Sequence, residues 1–435
     1  MKAFLTILFT LGFLGASAQQ LYFPPLNGSD WETLSPEELG WCSEKLDSLL
    51  QFVEAKNTKA FLILKDGRIV VEQYYGAYTQ DSAWYWASAG KSLMGVMIGL
   101  AQEDGYLDIE EPTSNYLGAG WTACPPEKEA LIRIRHQISM STGLDDSLEP
   151  PGSADNCFDP ECFQYLADAG TRWAYHNSAY RIVQDVMETA TGQNKNIYTR
   201  LRLGNRIGMK GFWFDYIYYS TARDMARFGL FTLARGAWNG DIILSDTTYF
   251  NAMANSSQAM NPSYGYLWWL NGKSSYLLPG LQFVFPGSLI PEAPADLIAA
   301  LGKNDQKIYV VPSEGLVVVR QGESAGGVSP ASSSFDNQLW ARIMDLPCTT
   351  ASHELDASLS MLQIAPNPAT NTVQISAPSN IQEARLYSAN GQLLRCFSAA
   401  SPQLNASVQG LAPGLYLIQV LTEKGVLIQR LVVRG

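Results

Sequence analysis

Apolar positions recur with more than one period along this chain. Over 41–54, Leu46, Leu49, Leu50 and Val53 fall at helical spacing behind Ser43 and Glu44, which predicts an amphipathic helix. Residues 60–75 read instead as two strands, 61–64 and 69–71, hinged on Asp66-Gly67, a hairpin signal. From Ser88 to Glu103 the chain is apolar enough for a core helix, carrying Leu93, Met94, Val96, Met97, Ile98 and Leu100. Much of 108–240 has helical patterning broken by long loops, and strands return at 299–301, 307–311 and 316–320. Strands at both ends of a helical block predict an α+β fold whose sheet is closed by its termini. Beyond residue 361 the pattern changes to short alternating runs, such as Val373-Gln374-Ile375 and the segment 415–420. Pro413-Gly414, Asn390-Gly391 and Lys424-Gly425 punctuate these runs, which predict a small all-β sandwich.

The chain of 435 residues is long for one core, so two folded units are expected. We place a signal peptide at 1–18, a main domain at 19–348, a polar linker at 349–360 and the β-sandwich at 361–435. The leader has Lys2, an apolar run from Phe4 to Leu14 and small residues at Ala16-Ser17-Ala18, the layout of a cleaved export signal. Its apolar run is too short to span a bilayer, and no later segment suits an integral membrane helix. A net charge of -11 argues against a nucleic-acid partner, which would require a basic face.

Six cysteines fit an exported protein. Cys157 could close a short loop with Cys162, and Cys42 could meet Cys348 if the ends of the main domain pack together. Three histidines, His136, His176 and His353, lack zinc-ligand spacing, so neither metal nor other cofactor is expected.

The candidate chemistry begins at Ser88-Ala89-Gly90-Lys91. Residues at i and i+3 share a helical face, which sets the Lys91 amine beside the Ser88 hydroxyl. A helix N-terminus supplies backbone N–H groups to a developing anion. Chance alone yields roughly one Ser-x-x-Lys in a chain this long, so further elements are needed. Tyr175-His176-Asn177 offers a phenol to relay a proton and an amide to bind substrate or fix the lysine. Tyr249-Phe250-Asn251 has the same pattern inside an ordinary helical stretch, with no loop signal in front of it. Gly302-Lys303-Asn304-Asp305-Gln306 precedes a late strand, where Lys303 could meet a substrate carboxylate or a transition-state charge.

A rival hydrolase pattern is Gly322-Glu323-Ser324-Ala325-Gly326, which follows a strand as a nucleophile elbow should. An elbow serine opens a helix, however, and Gly327-Val328-Ser329-Pro330 comes next. The rich aromatic clusters read mainly as packing, with Trp86 and Trp173 the better candidates for pocket walls.

Taken together, Ser88-x-x-Lys91, Tyr175-x-Asn177 and a basic residue near a late strand resemble the three ordered motifs of the class C β-lactamase and penicillin-binding superfamily. The flanking segments 86–91, 134–144 and 308–320 are similar to the β-lactamase-related serine hydrolases, over roughly 41–348. The resemblance implies a β-lactamase/transpeptidase-like fold, an antiparallel sheet flanked by helices plus an all-helical subdomain, and an acyl-enzyme on Ser88, with Lys91 and Tyr175 as general base and acid. It also implies an oxyanion hole from the Ser88 N–H and one near Gln306, with Asn177 and Lys303 on the substrate. Lys303-Asn304-Asp305 departs from the usual Lys-Thr-Gly or His-x-Gly, which favours small ester, amide or peptide substrates over a β-lactam. A D,D-peptidase or β-lactamase is the alternative within the class, and a silent surface binding protein the alternative outside it. The intact Ser88, Lys91 and Tyr175 argue against silence. The tail, with Ile364-Ala365-Pro366-Asn367-Pro368, Leu411-Ala412-Pro413-Gly414-Leu415-Tyr416 and its ending Leu431-Val432-Val433-Arg434-Gly435, resembles the type IX secretion C-terminal sorting domain. That implies the type IX machinery as partner and a secreted or cell-surface location.

Overall fold

The computed structural model describes residues 21–146, 157–326, 334–348, 362–388, 392–423 and 425–434. The leader and the linker expected at 349–360 lie outside them, as do the turn at Asn390-Gly391 and Lys424. The chain divides into two compact units, Met1–Pro347 and Cys348–Gly435.

The first unit is built on a six-stranded antiparallel sheet. Helix α1 (Ser43–Ala55) leads into β1 (Thr58–Lys65) and β2 (Arg68–Tyr74). Asp66 and Gly67 turn between these strands with φ of 49° and 86°, the doubly left-handed turn that suits a right-twisted hairpin. A short strand β3 (Trp84–Tyr85) then precedes the long helix α2 (Gly90–Glu103), and α3 (Asn177–Thr191) follows after a loop-rich stretch. The hairpin β4 (Phe212–Phe214) and β5 (Ile217–Ser220) pairs with β3 and leads into α4 (Ala222–Leu233). The remaining elements are β6 (Trp269–Leu270), β7 (Ile298–Gly302), β8 (Gln306–Val311), β9 (Leu316–Gly322) and α5 (Ser334–Met344).

The main sheet runs β2-β1-β9-β8-β7-β6, so strands from the end of the domain pair with those from its start. Leu62 lies opposite Val319 and Ile63 opposite Val318, which closes the sheet through its termini. Helices cover both faces, and the strand period of two decides what each face offers. On β8, Ile308 and its neighbour Val317 on β9 lie against Gly229 of α4, where a Cβ would come within 2.4 Å of Val317 Cγ1. Glycine is needed there for the helix to lie so close. The intervening Tyr309 points the other way and meets Trp340 of α5 edge-on at 5.6 Å. Phe52 of α1 stacks on Phe335 of α5 at 5.8 Å, joining the two helices on that face.

Helix α2 is buried from Gly90 to Ala101, which its nearly continuous apolar sequence had implied. Tyr249 packs on it and donates its hydroxyl to Gly95 O at 2.6 Å, so the second Tyr-x-Asn match is a core element. Cys157 and Cys162 are bonded to each other. Cys42 and Cys348 are also in disulfides, while Cys124 and Cys396 are free. Next to Cys42, Trp41 bridges Pro347, and Cys42 N donates to Leu346 O at 2.9 Å.

The second unit is strand-rich: β10 (Gln363–Ala365), β11 (Thr372–Ser388), β12 (Leu393–Ser407), β13 (Gly414–Thr422) and β14 (Gly425–Val433), all antiparallel. Along β13, Tyr416, Ile418 and Val420 are buried while the residues between them are not, the alternation expected of a half-covered sheet. Ile375, Ile381, Leu386 and Leu431 complete a separate apolar core.

Candidate active site

Ser88 sits in a single 3-10 turn, Ala87–Ala89, that runs directly into α2. Ala87 holds a left-handed φ of 47° just before it, a conformation that costs a non-glycine residue about 1–2 kcal/mol. Strain of this kind swings the chain from β3 into the helix and leaves Ser88 half-buried at the helix start. Lys91, one turn on, is 4% exposed, and its Nζ donates to Ser88 Oγ at 3.0 Å and to Asn177 Oδ1 at 2.7 Å. The i, i+3 relation placed the amine on the same face as the hydroxyl. The fold adds the amide, carried in on the first residue of α3.

Tyr175 lies two residues before α3, with its ring centroid 4.9 Å from Lys91 Nζ. The segment is tied back by Ala174 N donating to Met140 O at 2.8 Å. Trp269 stacks on the Tyr175 ring at 5.9 Å with an interplanar angle of 20°, and Tyr264 meets it edge-on at 6.2 Å. Trp173 stands behind, edge-on to Tyr264 and Trp269 at 5.5 and 6.3 Å. Trp173 is therefore a support for Tyr175 more than an open wall. Trp86 is core: it is fully buried, donates Nε1 to Ser220 Oγ at 2.8 Å and packs edge-on against Tyr218.

Tyr180 was not anticipated. Its ring centroid is 4.5 Å from Lys91 Nζ, so the amine lies against two aromatic rings. The signal was available, since Tyr180 lies three residues after Asn177 on the same face of one helix. Its hydroxyl accepts from Gln184 Nε2 at 3.1 Å, and burial raises its pKa well above the ordinary phenol value. Burial does the same to Tyr264. Both are neutral phenols at physiological pH.

The third motif occupies the turn between β7 and β8. Gly302 closes β7 so tightly against the Ser88 turn that a Cβ would lie 2.4 Å from Trp86 O and 3.0 Å from Ala89 N. Lys303 is exposed on this turn. Asn304 and Asp305 both have φ of 59°, and Asn304 Nδ2 donates to Tyr85 OH at 2.8 Å. Gln306 is fully buried, and its side chain is spent on the backbone: Nε2 donates to Asn304 O at 2.9 Å and Gly322 O at 2.6 Å, while Oε1 accepts from Gly322 N. It shapes the turn from within.

Behind the turn lies a charged cluster that spacing did not reveal. Lys307 Nζ is 3.2 Å from Asp305 Oδ1 and 2.9 Å from Asp336 Oδ1, with all three side chains at most 1% exposed. Asp336 also accepts from Tyr309 OH at 2.6 Å, and Asp305 Oδ2 accepts from Ala325 N. Arg320 donates to the carbonyls of Asn304, Asp305, Lys56 and Glu323. These bonds fix the left-handed pair Asn304-Asp305 beside Ser88.

Ser324 lies just past β9, its carbonyl accepting from Asn57 Nδ2 at 3.0 Å, while residues 327–333 after it lie outside the described residues. His136 and His176 each accept a backbone N–H at Nδ1, from Arg133 and Ala179 respectively, at helix starts. His353 lies outside the described residues. Among the described residues no cluster of metal-ligating side chains occurs, and no helix is long and apolar enough to cross a membrane.

The β-lactamase family model matches residues 52–328, and that of the secretion system C-terminal sorting domain matches 363–434. An uncharacterized protein of Alkalihalophilus pseudofirmus is 23% identical over 326 residues, 63% of this chain and 86% of that one. The 6-aminohexanoate-dimer hydrolase of Paenarthrobacter ureafaciens is 24% identical over 275 residues, 54% of this chain and 70% of that one. Among solved structures, a Bacillus anthracis protein described as a 6-aminohexanoate-dimer hydrolase superposes with a TM-score of 0.55 at 18% identity, covering 76% of this chain and 88% of that one. The tail marks the protein for export to the cell surface or medium. The chain is an enzyme of the β-lactamase family, a serine hydrolase with a β-lactamase/transpeptidase-like fold and a type IX sorting domain.

Proposed function

We propose that this hydrolase cleaves small ester or amide bonds through an acyl-enzyme on Ser88. The observation that carries the reading is the position of Lys91 Nζ, within hydrogen-bond reach of Ser88 Oγ and Asn177 Oδ1 at once. When the amine is neutral the same contact runs from O–H to N, and Lys91 takes the proton as Ser88 Oγ bonds to the substrate carbonyl carbon. The leaving oxygen or nitrogen then receives a proton by way of Tyr175, whose ring flanks the amine. Water then attacks the acyl carbonyl and gives up one proton to the Lys91–Tyr175 pair, which passes it to Ser88 Oγ as the acid leaves. The carbonyl oxygen would be held by the Ser88 N–H at the start of α2 and by a donor of the turn 303–306, with Lys303 available to a substrate anion. The hydrolase region is taken as 19–348, the segment 349–360 as a linker and the tail as the address for the type IX machinery.

Intact-mass spectrometry with a fluorophosphonate probe tests the nucleophile. One adduct on the wild-type protein and none on Ser88→Ala is the expected result, and an adduct that persists in the variant would sink it. A panel of short-chain p-nitrophenyl esters, D-amino-acid amides and nitrocefin then sorts the substrate class. Turnover of esters or amides but not nitrocefin is expected, because the third motif lacks the Thr and Gly associated with β-lactam binding.

A further inference from the structure

The small sheet β3-β5-β4 breaks the rule that an open sheet face is polar. Cross-strand pairing places Tyr85 opposite Tyr219, Phe212 opposite Tyr219 and Phe214 opposite Ile217, so these five side chains share one face. Phe212 and Phe214 are 51% and 68% exposed, and Tyr85, Tyr219 and Ile217 are half-buried. The opposite face carries Trp213 and Tyr218, both buried, so the outward rings are surplus to the core.

This apolar face is anchored close to Ser88. Tyr85 precedes Ser88 by three residues, and its hydroxyl accepts from Asn304 on the turn that abuts Ala89. Underneath, Tyr218 and Trp213 press on Gly90, where a Cβ would lie 3.5 and 3.6 Å from their side chains. The platform is thus rigidly tied to the start of α2 at two points. Its rings are arranged to receive another: Phe212 lies nearly parallel to Tyr219 at 5.8 Å and 13°, while Phe214 stands edge-on to it at 6.4 Å and 78°. Both are favourable aromatic pair geometries, and the two phenylalanine rings remain exposed for contact with a further ring. None of the five side chains is charged, so the face suits an apolar group.

We infer that Tyr85, Tyr219, Phe212 and Phe214 form a substrate subsite that selects esters or amides bearing an aryl group beyond the scissile bond. The inference rests on Ser88 as nucleophile. Its test is the paired variant Phe212→Ser/Phe214→Ser, both at exposed positions, checked for a native circular-dichroism spectrum. The readout is kcat/KM for ethyl phenylbutyrate and ethyl octanoate, each relative to ethyl acetate. The aryl ratio should fall roughly tenfold, from loss of two ring contacts, and the alkyl ratio much less. Equal falls for aryl and alkyl, or no fall in either, would overturn the assignment. So would a wild-type dimer that dissociates in the variant while selectivity stays the same, since the face would then belong to self-association. A binding arm separates this outcome from failure of the Ser88 reading. In Ser88→Ala protein, phenylbutyramide should give saturation-transfer NMR signals that disappear when the two serines are added. Signals that are absent from the start, or that survive the substitutions, would refute the subsite whether or not any ester is hydrolysed.

Discussion

Asn177 Oδ1 lies 2.7 Å from Lys91 Nζ, nearer than Ser88 Oγ at 3.0 Å. The amide oxygen is a neutral acceptor that orients the lysine without adding a charge beside it. A carboxylate in the same place would favour the ammonium and raise its pKa. Asn177→Asp should therefore leave less neutral amine at pH 7 and shift the rising limb of the kcat/KM profile to higher pH. Asn177→Leu removes the tether without that shift and should lower kcat/KM by roughly 10²-fold, the range for a misplaced proton carrier. A pH–rate profile of both variants separates the two effects.

Gly302 and Trp86 make the second prediction. In Gly302→Ala the new Cβ meets two backbone atoms, Trp86 O at 2.4 Å and Ala89 N at 3.0 Å, and neither can swing away as a side-chain tip would. The strand must back off from the nucleophile turn, an overpacking that typically costs about 1–3 kcal/mol. The expected outcome is a lower urea midpoint together with slower fluorophosphonate labelling of Ser88. Labelling at the wild-type rate would show that the turn and the strand are independent.

The buried cluster at Lys307 predicts a large effect from one small change. Asp336→Ala leaves Lys307 with Asp305 as its remaining carboxylate in the cluster and removes the acceptor of Tyr309 OH. Breaking a buried pair by deleting one partner costs about 3–5 kcal/mol, because the other charge stays desolvated. Urea unfolding should report a loss of that order. Asp336→Asn, which keeps an acceptor, should lose less.

His136 links stability to pH. Burial, reinforced by Arg135 and Arg133, lowers its pKa from 6.5 to about 4, so the folded state prefers the neutral ring. The unfolded chain takes up the proton first as pH falls, so the stabilisation is present above about 6.5 and lost between there and about 4. A shift of that size corresponds to about 3 kcal/mol. Between pH 7 and 4, the wild type should lose about that much more than His136→Asn in parallel urea titrations. Parallel losses would remove His136 as the cause.

Local periodicity was enough to read the elements that position Ser88 and Lys91. Asp66-Gly67 specified a hairpin because only left-handed-tolerant residues make that turn, and the uninterrupted apolar run after Ser88 required a buried helix. The Ser88–Lys91 pair followed from helical geometry, since i and i+3 adjoin in any α-helix. The sorting-domain strands around 373–375 and 415–420 were legible for the same reason, since alternation is a nearest-neighbour property, whereas β12 was not read.

What tertiary structure decided is everything that required distant segments to meet. Tyr175 meets Trp269 of β6 and the nearby Tyr264, a segment far along the chain from it, and nothing in that separation encodes the contact. Gln306 follows the third motif in sequence, but that β9 lies alongside and engages its side-chain amide is decided by the sheet order. Trp86 adjoins Ser88 in sequence but faces the core, since the left-handed Ala87 between them reverses the direction of the chain. Likewise Asp305, Lys307 and Asp336 are unremarkable charges on paper. Only the burial of β8 beneath α5 turns them into a desolvated cluster, because the strength of a charge interaction depends on the medium the fold puts around it.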